Sequence, residues 1–160
     1  MELLSKFESQ FLVEQLIIWF RKTKRDLPWR QTYDPYHVWI SEIMLQQTQM
    51  ERGVQYFNRW VERFPAVGDV ASATEDEILV YWEGLGYYAR ARNLHKAAKD
   101  IVAKHSSCVP SDYETLISLA GVGPYTAAAV ASIEGNEEDV VIDDKVNCLF
   151  ECVLDIVEGL

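Results

Sequence analysis

The stretch Leu119-Ala120-Gly121-Val122-Gly123-Pro124-Tyr125-Thr126-Ala127 most directly implies chemistry. Two glycines around one valine leave a place where no side chain keeps another backbone away. Pro124 suits the first turn of a helix. The amides at the start of that helix have no partner within it, and the helix dipole adds partial positive charge there. Such a hairpin could hold a phosphate without any basic side chain. Gly-x-Gly alone is equally compatible with a plain helix–helix turn. Arg90, Arg92, Lys96 and Lys99 share one run of sequence and could also meet phosphates, although a solvated helix face explains them as well. Cys148 and Cys152 stand four apart, which makes half a metal site; core cysteines fit them better.

The elements that must position these groups follow a helical period throughout. Phe11, Leu12, Leu16, Trp19 and Phe20 recur at three- and four-residue spacing, predicting an amphipathic helix over 8–24. Pro28 and Pro35 bound an irregular segment. Residues 36–50 resume a helix with Trp39, Ile43 and Leu45 inward, and 51–63 continue it. Thr74 with Glu77 reads as a capping box for a helix through Trp82. Gly84-Leu85-Gly86 is a turn before a helix over 89–104. Ser111 with Glu114 reads as a second capping box, opening a helix that stops at Gly121. A helix from Pro124 to about Ile133, an acidic loop over 135–139 and a last helix near 144–157 complete the chain. No strand pattern survives, so the class is all-α.

Composition bounds the rest. The 160 residues, 49% apolar, suffice for one domain with a real core. No apolar run reaches the roughly 18–20 residues of a membrane span, nothing reads as a secretory leader, and three cysteines read as reduced thiols. The expected location is therefore cytoplasmic, nucleoid-associated in a bacterium. A net charge of −10 is unusual for a nucleic-acid binder. It is concentrated, however: residues 134–160 hold nine acids and one base, whereas residues 1–133 are nearly neutral.

Longer strings carry a resemblance. Leu27-Pro28-Trp29-Arg30, Asp34-Pro35-Tyr36 and Val38-Trp39-Ile40-Ser41-Glu42-Ile43-Met44-Leu45-Gln46-Gln47-Thr48-Gln49 resemble the MutY-type adenine DNA glycosylases, as does the run from Gly84 through Tyr87, Tyr88 and Arg92 to Ala98. The Gly121–Ala127 string resembles the helix-hairpin-helix of base-excision glycosylases, with Asp143 standing 20 residues after Gly123. The similarity covers about 8–143. It implies a helix-hairpin-helix glycosylase fold, a six-helix barrel domain with a partial second helical domain. Residues 1–26 are then the N-terminal helix of the second subdomain, 27–135 the barrel with its hairpin, and 136–160 the catalytic-aspartate segment with an acidic terminal helix.

The resemblance also implies roles. Glu42 matches the acid that protonates adenine, and Asp143 the carboxylate that supports the sugar cation; two carboxyl groups with separate tasks is the usual logic of glycoside hydrolysis. Tyr125 stands where strand-cutting relatives place a Schiff-base lysine, so water is the implied nucleophile and the enzyme monofunctional. Gln47 and Tyr87 match residues that wedge into the duplex, with core packing the other reading of Tyr87 and Tyr88. Arg30 matches a residue near the adenine pocket, and Gly121, Val122 and Gly123 form the phosphate-binding hairpin. The implied partner is double-stranded DNA with adenine opposite guanine or 8-oxoguanine, bound by a monomer with no membrane contact.

The sequence departs from the pattern after Asp143. Asp144 replaces a glycine and Lys145 an asparagine, and the four-cysteine iron–sulfur loop and the 8-oxoguanine-recognising domain of family members are absent. No cofactor and no metal is therefore expected in this chain, which reads as C-terminally truncated or divergent. Two other readings stand beside an adenine glycosylase: a catalytically impaired homologue that binds only DNA or protein, and a glycosylase for another base such as mispaired thymine, against which the Gln46–Gln49 string speaks.

Overall fold

The computed structural model describes residues 6–32 and 34–134, so the acidic loop, the last helix and Asp143 lie outside the described residues. Within them the chain is helical, with no strand: α1 (Lys6–Thr23), α2 (Trp29–Thr32), α3 (Pro35–Leu45), α4 (Met50–Arg63), α5 (Val67–Ser72), α6 (Glu75–Trp82), α7 (Ala89–Lys104), α8 (Tyr113–Ser118) and α9 (Pro124–Glu134).

α3 is the central element. Asp34 caps it, its Oδ1 accepting from the amides of Tyr36 (2.9 Å) and His37 (3.2 Å). Tyr36, Val38, Trp39, Ile40, Ser41, Ile43 and Met44 are all buried, so the helix is apolar nearly all round. It packs against α2, α4 and α9. Beside it runs an aromatic column. Trp60 lies edge-on to Trp82 with centroids 5.7 Å apart and tilts against Phe64 at 4.8 Å. The polar tips inside this column satisfy one another: Trp60 Nε1 donates to Tyr36 Oη (3.1 Å), and Tyr36 Oη donates to the Phe64 carbonyl (2.7 Å). Burial pushes the Tyr36 phenol far above its usual range, which keeps it a neutral donor.

α5 packs along α7, where the buried His95 places Nε2 3.1 Å from the Ala73 carbonyl. Thr74 caps α6 through Glu77 N as expected. The reciprocal half of the box is replaced, because the Glu77 carboxylate accepts from Arg63 instead.

Several expectations need correction. The segment after Pro28 contains one helical turn, α2, and α5 was not anticipated; both are too short for a period to register. The helix expected over 36–50 ends at Leu45, which is only half-buried. Asp112, not Ser111, caps α8 by accepting from Thr115 N (2.8 Å), since the carboxylate one residue nearer reaches that amide. α8 stops at Ser118, and a turn carries the chain on to Gly121. On α1, Phe11, Leu16, Trp19 and Phe20 are exposed: among the described residues the apolar face that the spacing predicts is left largely open.

Tyr36→Phe would strand both the Trp60 N–H and the Phe64 carbonyl in the core. The expected cost is about 1–3 kcal/mol of stability, read as a lowered urea midpoint with unchanged slope. An unchanged midpoint would show that the relay contributes nothing.

Candidate active site

Glu42 sits on α3 among residues that are otherwise buried, and its own side chain is partly enclosed. Burial raises its pKa above the ordinary glutamate value; the Arg30 guanidinium pulls the other way, more weakly. Arg30 is thus close enough to act on Glu42. It is presented by α2 and lies over the Phe20 ring of α1, with its guanidinium carbon 5.9 Å from the ring centroid. Trp29 on the neighbouring α2, and Trp39 and Ile43 on α3 itself, are all buried. Raising the pKa favours the protonated form, which is the form a general acid acts in.

The hairpin joins α8 and α9. Val122 is buried and Gly121 has φ +76°, so the chain reverses on a residue that needs no Cβ. A Cβ at Gly121 would also meet the Asn93 Cβ at 2.7 Å, so close packing on α7 reinforces the choice of glycine. Gly123 is different. A Cβ there would meet nothing within 4 Å, so its missing side chain faces open space beside the first turn of α9. Packing within the described residues therefore does not require a glycine at that place. Tyr125 is exposed on the same turn, and α9 packs against α3, the helix of Glu42.

Gln47 and Tyr87 meet at a third place. Both are exposed, and both are non-glycine residues in the left-handed region, with φ +57° and +48°. With Gln46, Ala89 and Arg90 they line a cavity of about 560 Å³. Tyr88 is also exposed, which removes core packing as an account of either tyrosine.

Arg90 corrects the sequence reading. It is neither a phosphate ligand nor part of a solvated face, because its guanidinium is turned inward onto backbone carbonyls: Nη1 donates to Ile43 (2.9 Å), Met44 (3.2 Å) and Gln46 (2.6 Å), and Nη2 to Leu85 and Gly86 (both 3.3 Å). No spacing rule on its own helix signals this. Arg92 follows the solvated reading, with Nε 2.8 Å from Glu75 in an exposed ion pair. Among the described residues no group of three or more His, Cys, Asp and Glu side chains could hold a metal ion, and Cys108 stands exposed. The described residues therefore do not fit an iron–sulfur cluster. Asp143, Asp144, Lys145, Cys148 and Cys152 lie outside them. No helix among them is long and apolar enough to cross a membrane.

Residues 40–147 match the model of the HhH-GPD superfamily of base excision DNA repair proteins. The chain is 42% identical over 140 residues to the adenine DNA glycosylase of Rattus norvegicus, a match spanning 82% of this chain and 27% of that protein. It is 40% identical over 132 residues to that of Mycobacterium tuberculosis, spanning 82% of this chain and 43% of that protein. The chain thus spans less than half the length of these relatives. Its fold is similar to that of a thermostable thymine-DNA glycosylase, with TM-score 0.76 at 22% identity over 94% of this chain and 76% of the other. It is also similar to endonuclease III in a non-covalent complex with DNA, with TM-score 0.74 at 22% identity over 91% and 67%.

The raised pKa of Glu42 has a consequence for stability. A carboxyl group whose folded pKa is raised supports the fold fully below the ordinary glutamate value, and that support declines as pH rises through the folded value. Glu42→Gln never ionises, so it should be more stable than wild type at neutral pH, with the gap narrowing toward about pH 4. Urea unfolding at both values measures it. A gap of the same size at both would mean that Glu42 is not desolvated.

Proposed function

The chain belongs to the HhH-GPD superfamily of base excision DNA repair proteins, and on that premise we propose that it hydrolyses the N-glycosidic bond of adenine mispaired with guanine or 8-oxoguanine in DNA. One observation carries the reading: Glu42, on the buried central helix, is a carboxyl group whose desolvation favours the protonated form. It lies in the Val38–Gln49 string that resembles adenine glycosylases, and the 40–42% identity to adenine DNA glycosylases supports the same substrate.

In this reading Glu42 gives its proton to a ring nitrogen of the extruded adenine. The C–N bond then breaks with its electron pair leaving on the base. Asp143 supports the sugar cation, water adds to it and loses a proton to a carboxylate, and the products are free adenine and an abasic site. Gln47 and Tyr87 fill the place of the departed base, and their exposure on a common cavity supports that role. The Gly121–Gly123 hairpin holds a phosphate, supported by the open space at Gly123. Arg30, close to Glu42, borders the base. No step is routed through a cofactor. The charge balance of residues 134–160 and the Asp144-Lys145 departure favour a second reading, an impaired homologue that binds without cutting.

A single-turnover assay on duplexes carrying A opposite G or 8-oxoguanine separates the two. Glu42→Gln and Asp143→Asn should each slow adenine release by about a thousandfold, within the range for loss of a general acid or of charge stabilisation, while binding to the mismatch survives. Asp144→Asn should change little, and Lys145→Asn should raise the rate if that lysine impairs the site. One slow rate shared by wild type and both variants would replace the catalytic reading with the binding one.

Strand scission makes a separate test. Tyr125 offers no amine for a Schiff base, so the DNA strand should break only after alkali is added. A borohydride-trapped adduct in good yield would contradict this assignment.

A further inference from the structure

We propose that the Arg90 guanidinium is a positioning group that couples the Gln47 loop to the Tyr87 turn, so that both side chains enter the duplex as one rigid wedge. This rests on the adenine-glycosylase reading for its substrate, although its geometry stands apart from the chemistry at Glu42.

The carbonyls that Arg90 engages belong to two segments 40 residues apart: Ile43, Met44 and Gln46 at the end of α3, and Leu85 and Gly86 in the turn before α7. Each segment leads directly into a left-handed non-glycine residue, Gln47 in one and Tyr87 in the other. Such conformations cost on the order of 1–3 kcal/mol and persist only where their surroundings over-determine them. The guanidinium carbon lies 5.6 Å from the Tyr87 ring centroid and 5.4 Å from that of Trp82, so the fork is also flanked by aromatic rings. Its two terminal nitrogens make all these bonds. The buried Nε has no partner among the described residues.

The two segments are not equally anchored. The Tyr87 turn is also held by Tyr56 Oη donating to the Glu83 carbonyl (2.7 Å), by Trp82 Nε1 donating to Gly86 (3.1 Å) and by Arg52 donating to Gly84. Among the described residues, the side-chain hydrogen bonds that reach 43–46 from another helix come from Arg90 alone. Loss of Arg90 therefore frees the Gln47 loop first, and its effect should travel through Gln47. A lysine keeps the charge and stem but cannot span both segments with one ammonium.

The test uses the full chain, a duplex with 2-aminopurine as the target base opposite G, and two adenine duplexes, one with the target stacked opposite G and one with it unpaired opposite an abasic gap. Extrusion from the stack costs a few kcal/mol, so Arg90→Lys should slow adenine release from the stacked duplex by about ten- to a hundredfold and from the unpaired one by less than about threefold. It should also suppress the 2-aminopurine fluorescence rise on binding. Adding Gln47→Ala to Arg90→Lys should cost little beyond either single change, because both remove one device. Release from the unpaired duplex doubles as the check on folding, and Arg90→Gln carries the test if the lysine variant does not fold. Equal losses on both duplexes, an undiminished fluorescence rise, additive losses, or a wild type that gives no rise would each overturn the positioning role. If wild type releases no adenine from either duplex while the rise still depends on Arg90, the role stands and the adenine-glycosylase reading falls.

Discussion

Every part of the described fold answers to the burial of α3. A helix with seven of its eleven residues buried must be covered on nearly every side, and α2, α4 and α9 do so. Burial strands the polar groups at the ends of such a helix unless something reaches them. Asp34 closes the N-terminal end by capping two amides. At the C-terminal end, where the dipole is negative and the carbonyls lack partners, Arg90 arrives from α7 with a cation and a fork of donors. The same burial raises the pKa of Glu42. The central position of one helix thus produces both the raised pKa and the clamped loop at its end.

The long elements were legible in the sequence. α7 and α9 match their expected limits to within a residue, because their apolar spacing is regular and Pro124 marks a start. Glu42, Gln47 and Tyr87 were singled out by the resemblance of their strings to a known family, since taken alone an acid on a helix reads as a solvated charge and a tyrosine at a turn as packing. What the sequence concealed is local competition between similar residues. Ser111 and Asp112 are both good caps, and only geometry chooses between them. Glu77 could have closed the capping box, yet Arg63, 14 residues away, takes it. Arg90 and Arg92 are indistinguishable in composition and spacing, but one is turned into the molecule and the other out to Glu75. Such choices are made by partners distant in sequence.

The hairpin holds the same residue type under unequal constraints within three positions. Gly121 is set by the fold, through its left-handed φ and the Asn93 side chain against it. Gly123 is under neither constraint, since a Cβ there would meet nothing within 4 Å. A string that reads as a single motif thus divides into one glycine that the fold requires and one that it does not.

The left-handed backbone at Gln47 and Tyr87 sets thermostability against the side chains displayed there. A search for a hardier chain would favour glycine or asparagine at both places, since those residues accept positive φ at little cost. Each such gain would shorten or remove the Gln47 amide, or remove the Tyr87 ring, at the rim of the cavity of about 560 Å³. The chain as it stands thus forgoes stability that two single-residue changes would supply, in order to present a long amide and a ring at that rim.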